Sequence, residues 1–119
     1  MTEDFATAFA KSWVDAWNAH DLETILTHYS EDVTVESPMA IKLYPQSQGI
    51  VNGKNEVKKY WAIGLESSPD LKFDVLDVLI GVNSLALYLF NTSSNKKSVE
   101  VMSFNSEQEV NKVIVCYAE

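Results

Sequence analysis

Residues 17–38 of the chain read WNAHDLETILTHYSEDVTVESP and contain two different hydrophobic periods. Apolar side chains first recur at the i, i+3, i+4, i+7 spacing of a helix, at Leu22, Ile25, Leu26 and Tyr29. Asp21 precedes them and is expected to cap this helix. From Val33 to Ser37 the side chains alternate, which predicts a strand that Pro38 ends. The stretch therefore predicts a helix followed by a strand, as in an α+β fold.

The flanking segments predict two further helices. Thr2 is expected to cap a first helix, whose apolar residues recur at spacings of three and four: Phe5, Phe9, Trp13, Ala16 and Trp17. A third helix is predicted to begin at Gly53, with Glu56 as its capping partner, and to stop at residues 67–69. Its buried side is predicted to contain Val57, Tyr60, Trp61 and Leu65. Residues 39–52 have no clear period, and they predict a long loop over the mouth of a pocket.

The remaining chain predicts a sheet. Residues 71–75 alternate, and the phase then slips by one residue, so that Leu76, Val78 and Ile80 continue the pattern. Such a slip is typical of a β-bulge, which bends a sheet. Residues 81–84 predict a hairpin turn. Residues 85–90 are apolar on both faces and predict a central strand covered on both sides, and further strands are predicted near 98–105 and 112–118.

Size and composition restrict the class of protein. A chain of 119 residues predicts one domain, 1–119, and its single cysteine, Cys116, excludes an internal disulfide. We expect Cys116 to be a buried small hydrophobe. The net charge is −8, and all nine basic residues are lysines, which argues against nucleic acid and anionic membranes as partners. The acidic start is unlike a signal peptide and no apolar run suits a membrane span, so we expect a cytoplasmic location.

The order of these elements and three short segments resemble the nuclear transport factor 2-like superfamily, and within it the SnoaL-like branch. The segments are WNAHDL at 17–22, YSEDVTVESP at 29–38 and GKNEVKKYW at 53–61. The resemblance covers nearly the whole chain. It implies a cystatin-like cone, in which three N-terminal helices pack on a curved, mostly antiparallel β-sheet. The superfamily includes isomerases, cyclases, dehydratases, transport factors and binding modules, so function has to be argued from the site.

Individual residues depart from the chemistry of these relatives. At the position of the ketosteroid isomerase base, the resemblance places Ser37, which accepts no proton at neutral pH without a neighbouring base. The oxyanion-hole tyrosine of the first helix falls at Trp13, and the second, acidic donor falls near Glu100. The epoxide hydrolase mechanism needs an arginine, which the chain lacks. His20 and His28 lie near helix ends and are expected to be exposed or capping, and no spacing predicts a metal site or a cofactor.

A pocket is predicted between the helices and the sheet. Its candidate ligand-binding residues are Trp13, Trp17, Tyr60, Trp61, Tyr88, Met102 and Tyr117. The candidate catalytic residues are Glu100 and Ser37, and Ser37 is expected on the cavity side if the strand alternation holds. Glu100 lies between Val99 and Val101. It is therefore either in the pocket, where burial raises its pKa, or on the exposed convex face.

Two functions remain open at this point. In the first, the domain binds a small apolar or aromatic molecule without the isomerase chemistry of its relatives. In the second, it is a cofactor-free isomerase, lyase or cyclase that uses a pocket acid with Tyr and Trp donors. The missing base favours the first function. In either case we expect a homodimer formed through the sheet, because residues 85–90 are apolar on both faces.

Overall fold

The structure is a computed structural model that describes residues 1–118. In this range the chain forms a six-stranded sheet, four α-helices and a short 3-10 helix at Pro45–Ser47. The helices are α1 (Glu3–Asn18), α2 (Leu22–Leu26), α3 (Pro38–Leu43) and α4 (Lys54–Ser67). The strands are β1 (Tyr29–Glu36), β2 (Ile50–Asn52), β3 (Phe73–Ile80), β4 (Ser84–Asn91), β5 (Lys96–Phe104) and β6 (Val110–Tyr117).

The sheet has the strand order β2-β1-β6-β5-β4-β3. Among the described residues its neighbouring strands are antiparallel except for β1 and β6, which run parallel. Helix α1 packs over β3 and helix α4 over β1, and we call the sheet face that they cover the concave face. The α+β class and the mostly antiparallel sheet agree with the sequence-based prediction.

The predicted starts of the first two helices are confirmed. The Thr2 hydroxyl accepts a hydrogen bond from the Phe5 N–H at 3.1 Å, and the Asp21 carboxylate accepts one from the Thr24 N–H at 3.3 Å. Each bond satisfies a backbone donor that the first helical turn leaves free. Helix α2 ends at Leu26, before Tyr29, which instead begins β1 and is fully buried. No helix within residues 1–118 has the length and apolar character needed to cross a membrane.

The prediction of a long loop at residues 39–52 was wrong, because this segment contains α3, the 3-10 helix and β2. The Ser37 hydroxyl accepts a hydrogen bond from the Met39 N–H at 3.2 Å, and Pro38 occupies the first turn. Proline ends a strand but also starts a helix, since its fixed φ suits the first helical position. The Ser-Pro pair therefore marked a helix start as well as a strand end.

The capping role predicted for Glu56 was also wrong. Gly53 precedes α4 with a φ of +87° and offers no side-chain cap. The Glu56 carboxylate instead accepts a hydrogen bond from the Tyr44 hydroxyl at 2.8 Å and pairs with Lys59 at 2.9 Å. These contacts connect the segment after α3 to the first turn of α4.

The β-bulge predicted in β3 is confirmed. Val75 pairs with Leu89 and Asp77 with Tyr88, so Leu76 is an extra residue without an opposite partner. Its side chain is 47% exposed. Because a bulge increases the local bend and twist of a strand, it helps β3 to curve around the end of α1.

The core lies between α1 and the concave face and is rich in aromatic side chains. Trp13 is fully buried, and its ring centroid lies 5.9 Å from that of Trp17 and 5.4 Å from that of Phe73. Trp17 in turn contacts Trp61 of α4 edge to face, with centroids 5.1 Å apart. Burial of each such side chain stabilises the fold by roughly 1.5–3 kcal/mol. The aromatic residues thereby hold both helices at a fixed distance from the sheet.

Candidate functional site

A cavity of about 240 Å³ lies between the concave face of the sheet and the helices α3 and α4. For scale, a cavity of about 150 Å³ holds a benzene molecule. Its apolar walls come mainly from Trp17, Val35, Met39, Leu43, Trp61, Leu71, Phe73 and Val115. Its polar lining comes from Ser37, Tyr60, Ser98, Glu100 and Tyr117 in the interior and from Ser68, Asn91, Ser93, Ser94 and Lys96 near the opening.

Strand β5 contributes the acid of the cavity. Along a strand, alternate side chains share a face, so Lys96, Ser98 and Glu100 all belong to the concave side. Glu100 is opposite Leu87 on β4 and Val115 on β6, both of which are buried. The structure thus answers the question that the sequence left open, because Glu100 lies on the concave face.

Glu100 is buried without a polar partner. Only 9% of its surface is exposed, and its carboxyl, which lines the cavity, forms no hydrogen bond within residues 1–118. Burial raises the pKa of this carboxyl to about 8, because a charge is costly in apolar surroundings. At neutral pH the group is therefore mainly the neutral acid, which has one O–H to donate and a carbonyl oxygen to accept.

Three tyrosine hydroxyls lie close enough to Glu100 to be influenced by its charge. Burial is the largest cause that raises the pKa of Tyr29, Tyr60 and Tyr117, and the nearby Glu100 carboxyl adds to each shift. Tyr117 leaves 42% of its surface exposed, yet its hydroxyl end is the buried part, since the residue lines the cavity. All three hydroxyls therefore stay protonated at neutral pH, as hydrogen-bond donors near one buried acid.

Ser37 lies at the same end of the cavity. The Tyr60 hydroxyl donates a hydrogen bond to the Ser37 oxygen at 3.4 Å, and the Met39 N–H donates to the same oxygen at 3.2 Å. Ser37 lines the cavity, as does Tyr60. Neither contact is with a base, so nothing in this arrangement removes the proton of the serine hydroxyl.

A second layer of aromatic residues lies behind the cavity wall. The Trp13 indole N–H donates a hydrogen bond to the Tyr29 hydroxyl at 2.9 Å, and both side chains are fully buried. The Trp17 indole N–H is directed to the same hydroxyl and lowers its pKa, but it completes no hydrogen bond within residues 1–118. The layer fixes the Tyr29 hydroxyl beside the cavity without exposing it.

Six of the nine predicted site residues line the cavity, namely Trp17, Ser37, Tyr60, Trp61, Glu100 and Tyr117. Trp13 and Met102 lie outside its lining, in the core beside it. Tyr88 belongs to the opposite sheet face, where it pairs with Val99 and its ring lies 5.9 Å from the Lys97 nitrogen. Trp13, Tyr88 and Met102 thus lie outside the lining of this cavity.

Cys116 and the two histidines lie outside the lining of the cavity. Cys116 was predicted to be buried but is exposed, because it pairs with Val99 on the convex side of the sheet. His20 is half-buried and bonds the Leu71 carbonyl at 2.8 Å, and half-buried His28 bonds Ser12 at 3.1 Å. Neither histidine lines the cavity. Residues 1–118 contain no group of three or more His, Cys, Asp or Glu side chains that could hold a metal ion.

Sequence reasoning missed the wall formed by α3 and the opening formed by the β4–β5 turn. Met39 and Leu43 line the cavity from α3. A signal for them was present in the Ser37-Pro38 pair, which starts a helix. Asn91, Ser93, Ser94 and Lys96 form the rim. They look like an ordinary polar turn, and only the curvature of the sheet brings this turn over the cavity.

The chain is similar to several known proteins. The family described as SnoaL-like domain matches residues 10–106. A SnoaL-like protein of unknown function from Burkholderia thailandensis is 36% identical, with a TM-score of 0.92, covering 100% of this chain and 99% of that one. No curated protein sequence matches the chain.

Two more distant structures share the fold alone. One is a protein of unknown function with a cystatin-like fold from Methylobium petroleophilum, at 12% identity and a TM-score of 0.78, covering 100% of this chain and 79% of that one. The other is a candidate ketosteroid isomerase from Kribbella flavida, at 20% identity and a TM-score of 0.71, covering 94% and 76%. The likeness establishes the cystatin-like cone and leaves the chemistry to the residues.

Proposed function

The chain belongs to the SnoaL-like domain family, and from this premise we propose that its cavity binds a small apolar or aromatic molecule through one hydrogen-bonded oxygen. The observation that carries the proposal is Glu100, a buried acid without a polar partner beside an apolar cavity. A neutral hydrogen bond contributes roughly 0.5–1.5 kcal/mol. A ligand oxygen that accepts from Glu100 gains this bond while the apolar part of the ligand fills the cavity.

The size of the cavity limits the ligand. A volume of about 240 Å³ suits one or two fused rings and is too small for a large polycyclic molecule. The polar residues of the lining lie either in the interior with Glu100 or at the rim. Such a distribution supports binding of a compact apolar body with a polar atom at the inner end.

Binding without isomerase chemistry is the first function we propose, because the resemblance places Ser37 at the position of the ketosteroid isomerase base. Its oxygen is engaged by the Tyr60 hydroxyl and the Met39 N–H, and no base contacts it. A hydroxyl in this setting removes no proton from a carbon atom at neutral pH. The inner end of the cavity therefore supplies hydrogen-bond donors without a matching base.

A cofactor-free isomerase, lyase or cyclase is the second candidate, and one observation favours it. Burial raises the pKa of Glu100 to about 8, near the pH at which an acid or base works best. In this function Glu100 moves the proton, and the Tyr60 and Tyr117 hydroxyls stabilise the developing oxyanion.

Titration with 2-acetylnaphthalene tests both functions. It should bind saturably and quench the fluorescence of Trp17 and Trp61, which line the cavity. Glu100→Gln keeps an N–H donor and should retain binding, whereas Glu100→Ala should weaken it roughly tenfold. Tyr60→Phe should weaken binding, and Tyr88→Phe, the same change on the opposite sheet face, should not. Absence of any saturable binding would contradict the proposal.

The same probe separates binding from catalysis. In heavy water, an enolising enzyme exchanges the methyl hydrogens of 2-acetylnaphthalene, which proton NMR detects. Exchange by the wild type that disappears in Glu100→Gln would establish the second function. Binding without exchange above the buffer rate leaves the first.

We also propose that two copies of the chain pair through the sheet face turned away from the helices, here called the convex face. Apolar side chains are exposed there, with Val101 at 38% and Leu79 at 55%, and Tyr88 and Phe90 are half-buried. Contiguous apolar surface of this kind is typical of a protein interface. A second copy offers the same surface, as a two-fold symmetric dimer requires.

A further inference from the structure

We propose that the ligand of this cavity is an apolar carboxylate whose anionic group lies at the opening against Lys96, and this rests on the proposed binding function. The lining of the cavity contains one basic residue, Lys96, and one acidic residue, Glu100. One is exposed at the rim and the other is buried at the inner end. The cavity thus has a cation at one end and a mainly neutral acid at the other.

Strand β5 sets the distance between these two ends. Lys96, Ser98 and Glu100 alternate on its concave side, so the strand runs from the opening to the interior. Four residues of a strand span about 13 Å. A flexible lysine side chain shortens this distance by folding back over the opening. A molecule of one or two rings with a short carboxylate arm fits between the two groups.

Lys96 is available to a ligand anion. Four other lysines, namely Lys11, Lys54, Lys58 and Lys59, pair with carboxylates, whereas Lys96 forms no salt bridge within residues 1–118. Its neighbours at the rim include Ser94 and Ser68, whose hydroxyls can donate to the same anion. In a chain with a net charge of −8, a cation at the rim locally offsets the repulsion of an anion.

Solvation determines which end of the bound ligand lies inside the cavity. A carboxylate beside Glu100 would lose its water and would receive no cation in exchange, which costs several kcal/mol. At the rim the same carboxylate keeps most of its water and gains the attraction of Lys96. The apolar body therefore enters the cavity, and the acid remains at the opening.

A matched pair of probes tests this inference by calorimetry. The probes are 6-hydroxy-2-naphthaleneacetate and 6-hydroxy-2-naphthaleneacetamide, which have nearly the same shape, differ in charge, and both carry a hydroxyl oxygen that can accept from Glu100. The wild type should bind the carboxylate roughly two- to five-fold more tightly than the amide, the range expected for an exposed ion pair. Added salt should reduce this preference, because the pair is open to solvent.

Two variants locate the cation. Lys96→Gln should abolish the preference for the carboxylate and leave the affinity for the amide unchanged. Lys97→Gln makes the same change of charge on the adjacent residue, whose nitrogen lies over the Tyr88 ring on the convex face. Lys97→Gln should therefore keep the preference, which separates a contact at the rim from a general effect of net charge.

Each outcome has a definite meaning. Equal affinity of the wild type for both probes, or a preference that survives in Lys96→Gln, overturns the inference and leaves the proposed binding function standing. A preference that disappears between about pH 7 and pH 9, as Glu100 ionises, also overturns it, because the carboxylate would then lie beside Glu100. Failure of both probes to bind contradicts the binding function itself, and the inference with it.

Discussion

The two faces of strand β5 differ in a way that reverses the usual distribution of residues. On the concave side Ser98 and Glu100 are polar and buried, whereas on the convex side Val99 is half-buried and Val101 is 38% exposed. Folding alone favours the opposite arrangement, since buried polar groups cost free energy and exposed apolar groups gain none. The reversal is what the proposed ligand and dimer contacts would require of the two faces.

The physical cost of the reversal is largest at Glu100. Val115 and Leu87, its neighbours across the sheet, are the residue types that a buried strand normally carries. Burial raises the pKa of this acid, so the acid weakens the fold once its carboxyl ionises. On the convex face the cost is smaller, because scattered exposed apolar residues are normal on protein surfaces. The predictions below test each side of this comparison.

The largest effect is expected in the pH dependence of stability. The pKa of Glu100 is raised from 4.5 to about 8 by burial, so between these values the folded state holds a proton that the unfolded state has lost. Stability therefore falls as pH rises through this window. From pH 5 to pH 9 the contribution of Glu100 is a loss of roughly 4 kcal/mol. Glu100→Gln should remove this component, as measured by urea unfolding at a series of pH values.

A parallel pH profile in the wild type and Glu100→Gln would contradict this prediction. Glu107→Gln provides the matched control, because Glu107 is exposed in the turn after β5. Its profile should follow that of the wild type.

The second effect compares two neighbouring residues of β4 on opposite faces. Leu87 is fully buried on the concave side, and Leu87→Ala should cost about 3 kcal/mol by leaving a cavity. Tyr88 is half-buried on the convex side, and Tyr88→Ala should cost about 1 kcal/mol in the monomer. Denaturant unfolding at low protein concentration measures both. Equal costs would mean that the two faces are covered equally in the single chain.

The third effect concerns the convex face as the proposed dimer contact. Val101 lies between Ala86 and Ile114 on this face, so Val101→Lys introduces a charge into the contact surface of each copy. The dimer dissociation constant should rise at least tenfold in sedimentation experiments. Thr7→Lys adds the same charge at an exposed position of α1 and should leave the constant unchanged. A wild type that sediments only as a monomer at micromolar concentration would refute the dimer.

The smallest effect is expected at the end of the cavity that α3 closes. Ser37→Ala removes the cap of α3 and the acceptor of the Tyr60 hydroxyl, which should cost about 1 kcal/mol. Ser37→Thr retains a hydroxyl and should recover most of this loss. Thermal unfolding measures both variants, and an Ala variant as stable as the wild type would show that the cap is not needed.

The sequence anticipated much of the fold because the relevant signals are local. Helix periods, the caps at Thr2 and Asp21 and the slip at Leu76 each depend on a few neighbouring residues. The prediction for residues 39–52 was wrong because the local signal before them is ambiguous. Pro38 has two local meanings, strand end and helix start, and the hydrogen bond of Ser37 to Met39 selects the second.

The candidate site was anticipated less completely. Trp17 of α1 and Tyr60 and Trp61 of α4 could be predicted, because the apolar side of each helix must face the sheet. Trp13 belongs to the same stripe as Trp17 but lies one turn deeper in the core, where it bonds Tyr29. Distance along a stripe does not tell whether a residue touches a cavity or the packing behind it, because that depends on how the helix crosses the sheet.

The sequence by itself therefore determined the order of the elements outside residues 39–52, the family resemblance and the absence of an arginine-based mechanism, because these depend on residue identity and short spacings. Tertiary structure decided which face each strand residue occupies. In β4 every residue from 85 to 90 is apolar, so no alternation distinguishes Tyr88 from Leu87. In β5 a shift of one residue would have exchanged Glu100 with Val101. Only the pairing of β5 with β4 and β6 fixes Glu100 in the cavity and Val101 and Cys116 on the opposite side.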